Sequence, residues 1–477
     1  MPGSETNVST YQASGRVAAL PSTRERLAIV STRNKLCGIA AYTHALERQL
    51  ADLFEVTVFD LDQYLLRAQH PRVRVLGDRH IKDICREISR FDAVNLQIEF
   101  GTLGRSAKDI ERRFHWLVGA APRLSVTFHT LHRPPTFRFL DFASVCLTLK
   151  WQRAIELYSQ YKRMTKLSVG IAKCLRRAQQ RKPVSVIVHN RRDVSDARHL
   201  HGFERAFDHP LCFLSQKEAE SILKGTTRQK FPQLAALPKD INLIGVFGFL
   251  NDYKGFGSVI RALHHLPDNH HMLIFGGVHP NEISSRVGIH PYIASLLRDA
   301  RADTTLYDEM RGAGGSVSIN LDTERHLTDL FGKHPRDLSG RIHFMGAPSD
   351  ADFLAGMAIC DTVVLPYLEV GQSASGPISQ AVELRRRIIA SRTHTFLEFG
   401  RYHPDTIEFF DIGNHLELAE RIASRRQYPA RVEPLPYTVE TNKAVYLAAN
   451  TVPQHAAPRF TDRRARPNER EVKAAAD

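Results

Sequence analysis

The sequence predicts an α/β fold in which two domains of alternating strand and helix face each other across a cleft. Three observations predict it. Short apolar runs alternate with segments of helical spacing, the signature of βαβ units and parallel sheets. The alternation pauses near residues 215–238 and then restarts. No run of about 18 apolar residues breaks it, so no membrane-spanning helix is predicted.

The elements follow in order. Residues 1–24 are polar, rich in Ser and Thr and without an apolar centre, so they read as a disordered tail and not as a secretory signal. "RERLAIVSTRN" (24–34) reads as a buried strand, "CGIAAYTHALERQLADLF" (37–54) as a helix and "EVTVFDLD" (55–62) as a second strand. Further strands are predicted at 91–101, 123–130 and 183–190. In the second half, "INLIGVFGFLN" (241–251) is a strand and "GSVIRALHHLP" (257–267) a helix. Strands follow at 271–277 and 340–346, a helix then a strand at 351–367, and a strand at 386–391. The segments 414–425 and 439–450 have helical spacing, and the Arg-, Pro- and Ala-rich tail after about 452 reads as disordered. The expected division is a tail at 1–24, a first domain at 25–215, a second at 216–430, a returning helix at 431–452 and a tail at 453–477. Ligands of open α/β sheets bind at strand C-terminal ends, which places the site between the domains.

Composition narrows the chemistry. The 65 basic and 51 acidic residues give a net charge of +14, which favours anionic partners such as phosphorylated ligands, anionic lipid or nucleic acid. The six cysteines lie far apart with no C-x-x-C pair. That excludes a zinc knuckle or a disulfide framework and fits a reducing cytoplasm.

The stretch "LPYLEVGQSASGPISQAVELRRRIIAS" (365–391) has the layout of an anion pocket. Pro366 ends a strand, Ser373 and Ser375 offer hydroxyls, and Gly376 removes bulk. Pro377 suits a first helical turn, Ser375 is a candidate N-cap, and the first N–H groups of helix 377–384 are free for an anion.

With "CGIAAYTHAL", "VNLQIEFG", "TFHTLH", "GFLNDYKGFGSVIRAL", "LIFGGVHP" and "LPYLEVGQSASGPISQAV" in this order, the chain resembles family 4 of the retaining, nucleotide-sugar-dependent glycosyltransferases, over roughly 25–450. The resemblance implies a GT-B fold of two Rossmann-like domains and a hexosyltransferase of the kind used in polysaccharide biosynthesis. The implied partners are a nucleotide sugar and a glycan or lipid-linked acceptor. It implies no cofactor and no essential metal. His129 is then a residue that contacts the transferred sugar, or a hydrogen-bonded strand-end histidine; His132 is structural, and His279 has no catalytic role. Gly38 lines the donor diphosphate or makes a plain tight turn, with Cys37 where relatives carry a second, more flexible Gly. Lys254 neutralises a phosphate, or is a surface lysine, and Phe249 stands where relatives often have Arg. Ser373, Ala374, Ser375 and Gly376 hold the donor phosphates.

Two glutamates with seven residues between them usually bracket this last segment; their places fall at Gln372, beside the reacting sugar, and Gln380, at the ribose. Glu369 and Glu383 flank the site, and Glu383, one turn on, is the candidate substitute for a ribose contact. Arg385 to Arg387 are either a solvated loop or an extra anion contact. The glutamines keep an alternative open: a non-catalytic protein that binds a nucleotide sugar or a partner.

The segment 151–182 carries nine Lys or Arg and one Glu, with Trp151, Ile155, Tyr158, Tyr161, Leu167, Ile171 and Leu175 at helical spacing. It reads as one or two amphipathic helices that pack on the first domain or dock on an anionic membrane surface. The chain is then cytoplasmic or peripheral on the inner face of the membrane. No nucleic-acid recognition motif accompanies the charge, so nucleic acid is not an expected partner.

Overall fold

A computed structural model of the chain describes residues 24–35, 37–133, 136–137, 139–148, 150–278, 290–300, 337–424 and 434–452. The tail expected after 452, residues 1–23 of the tail expected at the start, and His279 lie outside the described residues.

Two six-stranded sheets organise the described residues. The first contains β1 (Arg26–Ser31), β2 (Glu55–Asp60), β3 (Ala93–Ile98), β4 (Leu124–Phe128), β5 (Val184–Val188) and β6 (Ala206–Asp208), in the order β2-β1-β3-β4-β5-β6. The second contains β7 (Asn242–Phe247), β8 (His270–Phe275), β9 (Ile342–Gly346), β10 (Thr362–Leu365), β11 (Arg387–Ser391) and β12 (Ile407–Phe410), in the order β12-β11-β10-β7-β8-β9. Every pairing is parallel. The α/β two-domain architecture expected from the sequence is therefore present. The sequence reading missed β6 and β12. They are edge strands of three and four residues, too short for a period of two to register.

Strands alternate their sides, and both faces are buried, as parallel sheets require. Leu27 and Ile29 point to a core that continues through Tyr42, Phe213 and Phe231 to Leu243, Phe247 and Leu365 of the second sheet. Ala28 and Val30 point the other way, under Ile84, Phe114 and Leu175. The far face of the second sheet packs Val246, Ile274 and Ile389 against Val259, Leu263 and Leu418.

Helix Val439–Asn450 lies against the first sheet. Its Tyr446 hydroxyl meets Thr127 Oγ1 at 3.1 Å and accepts from Gln97 Nε2 at 3.2 Å. Asn450 Oδ1 accepts from Ser125 Oγ at 2.8 Å. Asn95 Nδ2 donates to Ser125 Oγ at 2.7 Å. These polar side chains are buried, and the network satisfies them.

Candidate functional site

The C-terminal ends of both sheets open on one cavity of about 420 Å³. The first domain contributes Gly38, Glu99, His129 and Thr130; the second contributes Lys254, Gln372, Ala374, Ser375, Gly376 and Gln380. A second hollow, lined by Arg24 and Glu47, sits at the opposite edge, where β1 and β2 begin. The first cavity is the candidate because loops after parallel strands converge there.

Lys254 is the one Lys or Arg among the described residues that line the cavity, which Glu99 and Asp350 also line. It ends a short 3-10 turn, Asp252–Lys254, that follows β7. Gly248 makes room for it. Its backbone has φ +125°, and a Cβ there would sit 3.0 Å from Lys254 Cε. Gly255 then turns the chain with φ +64°, and a Cβ there would collide with the Pro366 carbonyl oxygen at 1.9 Å. The Lys254 ammonium lies 3.8 Å from the Tyr367 ring centroid and 5.0 Å from that of Tyr253. Among the described residues no carboxylate pairs with it. Burial lowers its pKa to about 7. The surface-lysine reading is thereby corrected: the side chain is only 6 % exposed.

Helix Gly376–Glu383 begins at the same cavity. Ser375 occupies its N-cap position, yet its hydroxyl donates to Tyr367 Oη at 3.3 Å and makes no capping bond. The first-turn N–H groups thus lack a side-chain cap, and the helix dipole favours negative charge in front of them. Gln372 Nε2 reaches Tyr253 Oη at 3.4 Å. Tyr253 and Tyr367 therefore connect the lysine to both ends of the segment Gln372–Ser375.

On the facing wall, helix Gly38–Leu50 is capped by the Cys37 thiol, which accepts from the Ala40 N–H at 3.4 Å. A Cβ on Gly38 would meet nothing within 4 Å, so glycine leaves open space there rather than relieving a tight turn. Cys37 itself is extended, with φ −159°, a conformation that needs no second glycine. His129 follows β4 and is buried; its Nε2 donates to Gln97 Oε1 at 2.9 Å. Burial, with His189 beside it, holds its pKa well below the ordinary range, so the ring is neutral and Nδ1 remains an acceptor. The His132 ring lies against Phe100, with centroids 4.7 Å apart and the planes tilted by 35°.

Several expected residues are turned away from the cavity. Ser373 accepts from the Leu131 N–H at 3.3 Å through its hydroxyl and from Asn190 Nδ2 at 3.2 Å through its carbonyl. It joins the domains behind the cleft. Glu383 is likewise buried behind the site. Its carboxylate accepts from the N–H groups of Phe213 and Leu214 at 2.8 and 3.2 Å. Burial raises its pKa to about 8, although those hydrogen bonds pull the other way. The Glu383 side chain, the candidate substitute at a ribose, is instead held by the inter-domain segment, while Gln380 lines the cavity. Glu369 caps the His394 N–H at 2.7 Å outside the cavity. Arg387 pairs with Glu408 at 2.7 Å and Arg386 donates to the Ala358 carbonyl at 3.1 Å, so neither serves an anion in the cleft.

Sequence reasoning missed Glu99, which lines the cavity directly after β3. Burial raises its carboxyl to about 7, against hydrogen bonds from Thr130 and the Phe100 N–H. Its signal was present in "VNLQIEFG", an acid at a strand C-terminus. Among the described residues no group of three or more His, Cys, Asp or Glu side chains is arranged to hold a metal ion.

No family model and no curated protein matches the sequence. Solved structures match the fold. Anabaena HepE in complex with UDP and glucose is 14% identical, aligned over 89% of this chain and 99% of its own, with a TM-score of 0.51. Sucrose-phosphate synthase from Thermosynechococcus elongatus is 15% identical over 90% and 95%, with a TM-score of 0.52. A UDP-forming α,α-trehalose-phosphate synthase from Burkholderia xenovorans is 8% identical over 90% and 98%, with a TM-score of 0.53. The chain has the GT-B fold. The match spans nearly the full length of these proteins, so both domains and the cleft between them belong to the shared architecture.

Proposed function

We propose that the chain is a hexosyltransferase that moves a sugar from a nucleotide-sugar donor to a glycan or lipid-linked acceptor, with retention at the anomeric carbon. One observation carries the reading: the uncompensated Lys254 ammonium and the uncapped start of helix Gly376–Glu383 converge on one cavity. A diphosphate supplies the missing counter-charge and accepts the free N–H groups. That two of the matched structures name UDP, one as a complex with UDP and glucose and one as a UDP-forming enzyme, supports the same ligand class.

In this reading Lys254, Ala374, Ser375 and Gly376 hold the donor phosphates, with Gly38 opposite. Gln380 meets the ribose. Neutral His129 and Gln372 orient the sugar, and Glu99 grips an acceptor hydroxyl. The bond from the anomeric carbon to the leaving phosphate oxygen breaks, the acceptor oxygen bonds on the same face, and its proton passes to the leaving phosphate. The protein contributes positioning and charge neutralisation, which tolerates amides in place of the two usual carboxylates.

The test is incubation of the purified chain with a panel of nucleotide sugars and candidate acceptors. Free nucleotide with a glycosylated product of the donor's anomeric configuration supports the reading. Binding without turnover across the panel would favour the non-catalytic alternative to which Gln372 and Gln380 point. No binding of any donor would remove the transferase reading and the nucleotide-sugar form of the alternative.

A further inference from the structure

Between β4 and β5 the chain leaves the first sheet as a helical hairpin, Phe139–Leu147 and Trp151–Gln179. The long helix is divided along its length. Its second half buries Leu167, Ile171 and Leu175 in the domain core. Its first half leaves Trp151, Ile155 and Tyr158, which share one face at i, i+4 and i+7, exposed by 58%, 68% and 45%. The short helix has seven apolar residues of nine, and none is buried. Leu140 and Leu147 are 82% and 84% exposed. Phe142 packs on Tyr158, and Phe137 on Tyr158 and Tyr161, so the hairpin holds this surface in a fixed shape. Isolated exposed apolar residues are ordinary; a contiguous group this size marks an interaction surface.

The charges beside it select the partner. Lys150, Arg153, Lys162 and Arg163 are exposed around the apolar residues, against Asp141 and Glu156. Lys166 is already committed to Glu111 at 3.6 Å. Long cationic side chains beside Trp and Tyr suit the headgroup zone of an anionic bilayer, where the stems lie over acyl chains and the charges meet lipid phosphates. Self-association would bring the same cations face to face. No described helix is long and apolar enough to cross a membrane, so the geometry is that of a helix pair lying in the interface.

We propose that the tip of this hairpin docks the protein on anionic phospholipid. The hairpin starts just after His129 and Thr130, which line the cavity, and Ser168 Oγ donates to the His132 carbonyl at 3.1 Å, fixing the long helix to that loop. Docking therefore holds the first-domain wall of the cleft at a set height above the bilayer. This deepens the proposed reading by selecting a lipid-linked acceptor, and its test needs neither donor nor acceptor.

The experiment is flotation of the full chain with vesicles of phosphatidylcholine alone or mixed with phosphatidylglycerol, at low and high salt. Binding is expected with the anionic vesicles and to fall with salt. Lys150→Glu with Arg153→Glu should lower the partition at least about tenfold, at roughly fivefold for each lost cation. Leu140→Ser with Leu147→Ser should lower it comparably while thermal melting stays unchanged. In a Trp116→Phe background, Trp151 fluorescence should shift to the blue on anionic vesicles only. Equal retention on both vesicle types, retention on neither, or dimerisation abolished by the Leu variants without any lipid effect would each overturn the proposal. A chain that floats but releases no nucleotide keeps this inference and removes the transferase reading; the reverse result removes this inference alone.

Discussion

Lys254→Met removes the ammonium at the centre of the cleft and keeps most of its apolar stem. The ordinary lysine value of 10.5 has fallen to about 7, because burial strips the charge of water. At about 1.4 kcal/mol for each pH unit, holding the charged form in the empty cleft costs about 5 kcal/mol. A diphosphate is a counter-ion and reverses much of that. The donor thus binds the protonated form, and the sign follows from linkage. Affinity is flat below about pH 7 and falls about tenfold per unit above it, reaching about a hundredfold by pH 9. Met at this position costs about 1.5–3 kcal/mol at pH 6, about ten- to a hundredfold, and leaves a flat profile. The assay is calorimetry across this pH range with UDP-glucose or the best-bound donor of the panel. A nucleotide sugar is preferred to free UDP because its diphosphate is esterified at both ends and stays ionised throughout. A flat wild-type profile, or a Met variant that binds as tightly at pH 6, refutes the reasoning.

Gln380→Glu should lower the donor KM about 3- to 30-fold and change kcat less, since a ribose contact is similar in ground and transition states; unchanged steady-state kinetics would count against the ribose role. Gln372→Glu should act on kcat instead, measured under saturating donor. Glu383→Gln should leave donor affinity unchanged but alter stability. The native carboxyl keeps its proton up to about 8 whereas the unfolded one loses it near 4.5, so its contribution is present below 4.5 and is lost as pH rises through 8. Melts of wild type and variant should diverge in slope over that window, and parallel curves would refute it. Gly248→Ala should weaken donor binding and lower the melting temperature together, because alanine at φ +125° is strained by about 1–3 kcal/mol and crowds Lys254; a variant with wild-type calorimetry would show that the lysine has slack.

The fold was legible because buried parallel strands are apolar on both faces and stop at Gly, Asn or Pro. The cavity lining was legible where it follows strand ends: Gly38 after β1, Lys254 after β7, and Gln372 with Ala374–Gly376 after β10. It was not legible where direction depends on distant chain. Glu383 shares a helix with Gln380, yet Phe213 and Leu214, some 170 positions away, turn it out of the cleft. The same holds for Ser373, which answers to Leu131 and Asn190. Tyr253 and Tyr367 form their box around Lys254 only once β7 and β10 lie side by side. Glu99 was visible as a residue but not as a perturbed acid, because the perturbation comes from burial in the folded chain.

The network under helix Val439–Asn450 has a consequence for the order of synthesis. Gln97 and Tyr446 are separated by 349 positions, and Ser125 and Asn450 by 325. At about 5–20 residues per second, Gln97 and Ser125 wait roughly 20–70 s for the helix residues that satisfy them. Throughout that wait the inner side of β3 and β4 faces water or a chaperone. A nascent chain released before Val439 carries a first domain with its polar face uncovered. A chain that carries helix Val439–Asn450 therefore differs physically from one released before it, because only the former can satisfy these buried groups of β3 and β4.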